Sequence, residues 1–508
     1  MLVLGIGIIA LVIAGRMNAQ LLASRQAYGL DHAPPLENAP PLVVFSTVAL
    51  GGFSGIIADV LWLRAGRLQM DGQYFELVQL ADWITKLEPR FAQGWIYHAW
   101  NLSYNISVQL ARPEDRWRWV RHGIELLRDG GLRYNPSNAQ MYRELGWLFQ
   151  HKIGANMDQA HMYYKFSWAI EMARLFDGPR PEYDLYARIP ASRAEVMLLP
   201  GMDVLVERIR AETGYDVFSY TWPEGDTWSS ATALMREHEH GAILLHHIRL
   251  RIMRDRYRLD PVLMQRVEDE VGPLDWRLHQ AHAIYWAWRG RAFAEGFERK
   301  AIDRMIFQNM ADAFRQGRFF YNADEDLFIP SPHPDILPFV LQAYEEALEE
   351  HPDGSMQTAH KNFMTQAMVV LYTYHRVREA RALFDTIHAR YPSDETAQGF
   401  EAFVVSTFVE RMQDLSDIEA HGFVEGAFYQ SFFWSALGDD ERAAGFDRLA
   451  RLAWNTYMEP RLSNEEFAER TGLPPIPVIR QMALREARRT VESATARSRL
   501  NEMPVFTP

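Results

Sequence analysis

Two apolar stretches open the chain, and a helical rhythm then replaces them. Leu2 to Gly15 (LVLGIGIIALVIAG) holds only apolar residues and glycine. As a helix rising ~1.5 Å per residue it covers roughly 21 Å, short of a hydrocarbon core of ~30 Å. Met17 to Ala23 extends it, with Arg16 placed to snorkel toward the headgroups. A cleaved signal peptide is the rival reading, but a basic leading region and a small-x-small cleavage site are missing. A membrane anchor is therefore expected. A Pro-rich linker follows, His32 to Pro41 (HAPPLENAPP). Leu42 to Ala58 is uncharged and carries Gly51 and Gly55, a spacing that permits close helix approach in a bilayer. It reads either as a second span or as a buried helix leading into the next segment.

From Ala58 to Pro89 the apolar positions recur at helical spacing on both sides of a Met70-Asp71-Gly72 break. That is one helix pair. A single pair cannot bury its apolar face, so it must stack on a neighbour. The pattern recurs. Pro89 to Leu102 reads PRFAQGWIYHAWNL, with Trp95, Ala99 and Leu102 at large, small and large positions. Pro136 to Phe149 reads PSNAQMYRELGWLF, with Tyr142, Gly146 and Phe149 in the same places. Arg378 to Pro392 carries Ala380, Phe384, Ile387 and Pro392, and Leu437 to Ala450 carries Gly438 and Ala443.

These segments resemble the tetratricopeptide repeat (TPR), over perhaps half of the chain. The spacing of Pro89 and Pro136 exceeds that family's usual period of about 34 residues. The surplus lies around Arg112-Pro113-Glu114-Asp115, which ends one helix and begins another. The resemblance implies an all-α fold, an α-solenoid of divergent TPR-like helix pairs with an N-terminal membrane helix and an irregular central insertion. It also implies a concave face lined by the first helix of each pair. On that basis Trp62, Gln93, Trp100, Arg143, Trp147 and Tyr372 are the candidate groove residues, and Trp and Arg are the side chains most often found as interface anchors. The tryptophans could equally be buried between repeats.

The expected organisation is residues 1–41 as anchor and linker, 42–175 as N-terminal repeats, 176–272 as the insertion, 273–465 as C-terminal repeats and 466–508 as a basic tail. Within the insertion, Gly214 to Ser229 looks like an aromatic loop, and one helix is expected from Ser230 to about Leu259. Pro273 to Phe319 reads as another pair, with Trp276, Ala283 and Trp286 in place, and Pro330 to Pro338 as a break.

Composition narrows function more than it identifies it. The net charge is −13 and the pI about 5.7, so nucleic acid is not an expected partner. The absence of cysteine excludes disulfides, thiolate metal sites, cysteine nucleophiles and covalently attached haem. It also tips the sidedness of the bulk of the chain toward the outside of a bacterial inner membrane.

His238, His240, His246 and His247, and His279 with His282 three residues on, are the metal candidates. None completes the His-Glu-x-x-His pattern that zinc helices need. Glu224 and Asp226, or Asp324, Glu325 and Asp326, could be paired acids for glycoside chemistry, although acids beside turns are usually solvated caps. The tail from Val478 to Leu500 carries Arg480, Arg485, Arg488, Arg489, Arg497 and Arg499, and reads as a solvated capping helix or a lipid-facing one. No phosphate loop or nucleophile elbow is present.

The sequence thus predicts a membrane-anchored scaffold that binds protein partners in a helical groove, with no cofactor and no metal. An α/α enzyme acting on envelope polysaccharide, and a permanent subunit of a membrane complex, are the alternatives.

Overall fold

A computed structural model describes residues 54–503 apart from 177, 224, 323–326, 351–353, 375, 412–414, 463–471 and 492–493, together with 16, 17, 20, 21 and 24. The segment Leu2 to Gly15 and most of Leu42 to Ala58 lie outside the described residues. So do Glu224, Asp324, Glu325 and Asp326. Among the described residues no helix is long and apolar enough to cross a membrane.

The described chain is helical throughout, apart from one hairpin. The first pair is α1 (Ser54–Met70) and α2 (Tyr74–Leu87), broken where Met70-Asp71-Gly72 was expected to turn, with Gly72 at φ 69°. Next come α3 (Ala92–Trp100) and α4 (Pro113–Glu125), then α5 (Ala139–Trp147) and α6 (His161–Leu175). Pro113 fills the first turn of α4, where its missing N–H is no loss, and Glu114 and Asp115 complement the helix N-terminus. Helices α3, α4 and α5 each run on as six residues of π-helix, at Asn101–Ile106, Leu126–Gly131 and Leu148–Ile153.

The small residues sit where the helices approach closely. Ala99 is fully buried. A Cβ on Gly146 would lie 3.0 Å from the Ala283 carbonyl of α11 (His279–Arg291), and one on Gly290 of α11 would lie 2.6 Å from Tyr142 Cβ. Helix α5 therefore packs on α11 and its partner α12 (Gly296–Gln316), although the chain between them goes elsewhere.

That intervening chain is not a detached insertion. Its helices α7 (Met202–Thr213), α8 (Thr227–Arg236), α9 (Gly241–Asp255) and α10 (Pro261–Val271) bury Leu205, Met235, Ile248 and Val267 in the same core that holds Trp95, Phe149 and Trp286. The single helix expected from Ser230 is two. Gly241 needs its lack of a side chain, because a Cβ there would meet the Met235 carbonyl at 1.7 Å. The aromatic segment before it is folded rather than loose: Trp222 Nε1 donates to Tyr257 Oη (2.9 Å), and Tyr220 Oη lies 3.0 Å from His247 Nε2.

The Pro330 region is also not a simple break. β1 (Arg318–Asn322) pairs antiparallel with β2 (Leu327–Ser331), and Pro338 sits in the first turn of α13 (Leu337–Glu350). Then follow α14 (Gly354–Thr373), α15 (Val377–Arg390), α16 (Phe400–Arg411), α17 (Asp417–Leu437), α18 (Asp440–Leu462), α19 (Ile476–Thr490) and α20 (Ala494–Glu502).

The C-terminal tail is part of a second core. Ile479, Ala483, Leu484 and Ala487 of α19 are buried with Phe428 and Tyr457. Its arginines are engaged internally: Arg488 donates to the Leu500 and Met503 carbonyls, Arg497 to that of Val491, and Arg499 to that of Ala436. These guanidiniums cap the turn around α20.

One buried network ties three N-terminal elements together. Asp158 accepts from Lys152 Nζ (2.6 Å), Arg116 (3.1 Å), the Ala160 N–H (2.9 Å) and Tyr164 Oη (3.0 Å). Burial would raise its carboxyl, but Lys152, Ala160 and Tyr164 hold it below the ordinary value. Asp158→Ala leaves Lys152 buried without its partner, and is expected to cost about 3–5 kcal/mol in urea or thermal unfolding. A loss below 1 kcal/mol would show that the pair is dispensable.

Acid sensitivity separates into two windows. Burial lowers His98 to about 4, His282 to about 3 and His421 to about 4, so all three stay neutral in the fold. Their folded values lie below the unfolded one, so the stability they allow is complete above pH ~6.5 and declines as pH falls toward ~4. Each contributes a slope of about 1.4 kcal/mol per pH unit, roughly 4 for the three together. The contribution of Asp158 is lost only at lower pH, as the solution falls through its depressed folded value. A Tm that stays flat between pH 7 and 4.5 would contradict this.

Candidate functional site

Equivalent residues of the second and third helix pairs meet. Gln93 Nε2 donates to Gln140 Oε1 (2.7 Å), and Tyr104 Oη lies 3.1 Å from His151 Nδ1. Each bond joins positions 47 residues apart. Read at that offset, Ala92-Gln93 matches Ala139-Gln140, Trp100 matches Trp147, and Ile106 matches Ile153. So the first helices of the two pairs lie side by side with like facing like.

The offset also places a continuous aromatic strip across the two helices. Trp100 stacks on Tyr104 (centroids 4.4 Å, 27°), and Trp147 stacks on His151 (4.7 Å, 10°). Tyr104 and His151 join the two halves at 5.8 Å. In each half the Trp ends the α-helical part and its partner lies in the π segment. Such π insertions in α-helices frequently mark functional sites.

Polar groups run alongside. Trp100 Nε1 donates to Glu144 Oε2 (3.0 Å), and Arg143 bridges Glu144 (3.1 Å) and Glu298 (2.5 Å). Gln150 reaches Gln308. The strip therefore continues from α3 over α5 onto α12. Burial and the Glu144 carboxylate raise the Tyr104 hydroxyl well above its ordinary value. Burial and Lys152 lower His151. Both groups are neutral at pH 7, and the tautomer of the imidazole sets which of them donates in their shared hydrogen bond. Lys152 Nζ lies beneath, 5.1 Å from the Tyr104 ring centre, bound to Asp158.

Four of the six candidate groove residues, Gln93, Trp100, Arg143 and Trp147, are members of this strip. Trp62 stands at its N-terminal end, edge-on to Phe91 (5.6 Å) and tilted against Tyr97 (4.8 Å). Tyr372 does not belong to it. It lies on α14, where its hydroxyl donates to Glu401 (3.2 Å) and its ring meets Phe400. Sequence reasoning missed Tyr104, Gln140, Glu144, His151, Glu298 and Gln308. The 47-residue offset would have found Tyr104, Gln140 and His151, but not Glu144, whose counterpart is Tyr97, and the TPR-like pattern ends at Leu102 and Phe149, within the first turn of the π segments.

The other candidates resolve into packing. Buried His282 bonds the Trp276 carbonyl (2.9 Å). His279 faces Asp312 (3.7 Å), which also accepts from Gln280 and Gln316. His247 bonds Tyr220 and the Pro190 carbonyl, and the His240 N–H donates to His238. Among the described residues no group of three or more such side chains is arranged to hold a metal. Asp226 stands at the N-terminus of α8.

A separate cleft of about 540 Å³ opens between α10, α12, α13 and α14. Its floor is Ile306, Phe307, Met310 and Phe339. Two acids on its rim, Glu270 and Asp303, are both ion-paired to Arg291.

Trp100 is 39 % exposed, whereas Trp286 is 1 % exposed. Trp100→Ala loses one stacking contact, about 0.5–1.5 kcal/mol, and the donor to Glu144. Trp286→Ala empties a core position and is expected to cost about 3–5 kcal/mol. Thermal unfolding of the two variants should therefore differ by several degrees; equal losses would make Trp100 a core residue. No protein-family model matches this chain, and no curated protein is similar to it.

Proposed function

We propose that this protein is a membrane-anchored, TPR-like α-solenoid that binds partner proteins along the strip from Gln93 to Gln308. The observation that carries this reading is the pairing of equivalent residues from successive helix pairs, which lays aromatic faces and hydrogen-bonding groups in one line over three helices. Flat rings of Trp100, Tyr104, His151 and Trp147 suit proline, aromatic or aliphatic side chains. The glutamine pairs, with Arg143 and Glu298, can exchange their mutual bonds for the backbone amides of an extended or helical segment. The apolar run at Leu2 to Gly15 supports the anchor, at the bacterial inner membrane.

The test is site-specific photocrosslinking in native membranes. A photoreactive residue at Gln93 or Gln140 is expected to capture stoichiometric protein partners, and one at Val204, on α7, none. Arg143→Glu places a third acid beside Glu144 and Glu298, and should weaken capture about 10- to 100-fold. Equal capture from both positions, or none, would argue against the strip as the recognition face.

A further inference from the structure

Helix α1 is apolar on two opposite sides. Ala65 and Leu68 are buried with Leu77, Leu80 and Ile84 of α2, and Ala58 is buried as well. Ile56, Val60, Leu63 and Met70 are 58, 60, 68 and 82 % exposed. These four are separated by four, three and seven residues, with Arg67 between the last two, so they share one stripe along the outward face. The stripe is roughly 21 Å long. A terminal unit in a stack of helix pairs ordinarily turns a polar face outward, because nothing packs on it. This one does the reverse.

Three observations choose what covers it. The chain entering α1 reads LVVFSTVALGGF from Leu42 to Phe53, and no charge appears until Asp59. The same end of the molecule gathers aromatic residues: Phe75 and Phe91 are exposed, and Trp62, Tyr74, Trp83 and Tyr97 are partly so. Those with polar tips are of the type that collects at a membrane–water boundary. Arg67, the one charge within the stripe, has a side chain long enough to reach headgroups from an apolar surface.

We propose that the outward face of α1 lies in the headgroup–acyl boundary of the bilayer, so that the helical stack rests on the membrane along its first helix. This inference stands on the membrane-anchored reading above and adds the contact surface and the orientation.

The chain contains no cysteine, so single ones can be introduced without background. Full-length Ile56→Cys, Leu63→Cys and Met70→Cys are labelled with a fluorophore and reconstituted in phosphatidylcholine vesicles, with Val204→Cys as a solvent reference. The stripe labels are expected to be quenched several-fold more by bromine-bearing acyl chains than the label at Val204, and to be shielded from aqueous iodide. Iodide quenching equal to that at Val204, in protein that floats with the vesicles, overturns the proposal and leaves the anchor reading standing. Shielding from both quenchers also overturns it, since protein then covers the stripe. Failure to float with vesicles at all would defeat the anchor reading itself.

Discussion

The Lys152–Asp158 ion pair is the constraint on which the N-terminal half depends. A buried charge persists only when it is paired and its remaining hydrogen-bonding capacity is met. Asp158 meets that condition with four donors drawn from α4, the α5 π segment, the loop at Ala160 and α6. None of these elements can shift without stripping a bond from the carboxylate. Lys152 is the residue after His151, so the pair also fixes where the imidazole stands. The position of the Tyr104–His151 contact, and with it the junction of the two aromatic stacks, follows from an interaction one layer deeper in the molecule.

The π segments have a related origin. Ala99 and Gly146 allow close crossings, and a Cβ at Gly146 would strike α11. Just beyond those crossings the winding loosens to i→i+5 bonding. In both helices this brings a Trp over a ring four residues later, at 4.4 and 4.7 Å. Two copies of one local solution, set side by side, give a strip in which each ring has a neighbour along its own helix and Tyr104 and His151 have one across the interface. Repetition, rather than a single elaborate loop, builds the surface.

Much of this was legible. The helix pairs, the turn at Gly72, and the small residues Ala99 and Gly146 follow from 3.6-residue periodicity and from positions where only a small side chain fits. Trp100, Arg143 and Trp147 lie together because the first helix of a pair presents one face away from its packing side. What could not be read was anything set by contacts distant in sequence. Arg143 meets Glu298 across 155 residues, and no local pattern announces it. The break at Gly241 was missed for a nearer reason, the close approach of the Met235 carbonyl six residues before it. Arg488, Arg497 and Arg499 read as free charge, because only the folded turn brings carbonyls to them. Tyr372 lies apart from the strip: the C-terminal pairs match the pattern in their second helices, so the register of their first helices was extrapolated.

The two unusual surfaces differ in what they ask of a partner. The strip largely satisfies itself: its glutamines, Trp100, Arg143 and Glu144 already hold hydrogen bonds or ion pairs within it, and Trp147 Nε1 and Gln150 Oε1 are the buried atoms left without one. A protein segment binding there exchanges bonds rather than creating them, so the net gain per polar contact is small and selectivity comes from ring stacking and shape. Such a surface suits binding that can be reversed. Among the described residues nothing covers the outward face of α1, and its apolar area gains free energy from any apolar cover, with little demand on geometry. That suits continuous occupation. In the proposed reading the two surfaces divide the work: the first helix holds the molecule in place, and the strip that starts one helix pair later selects.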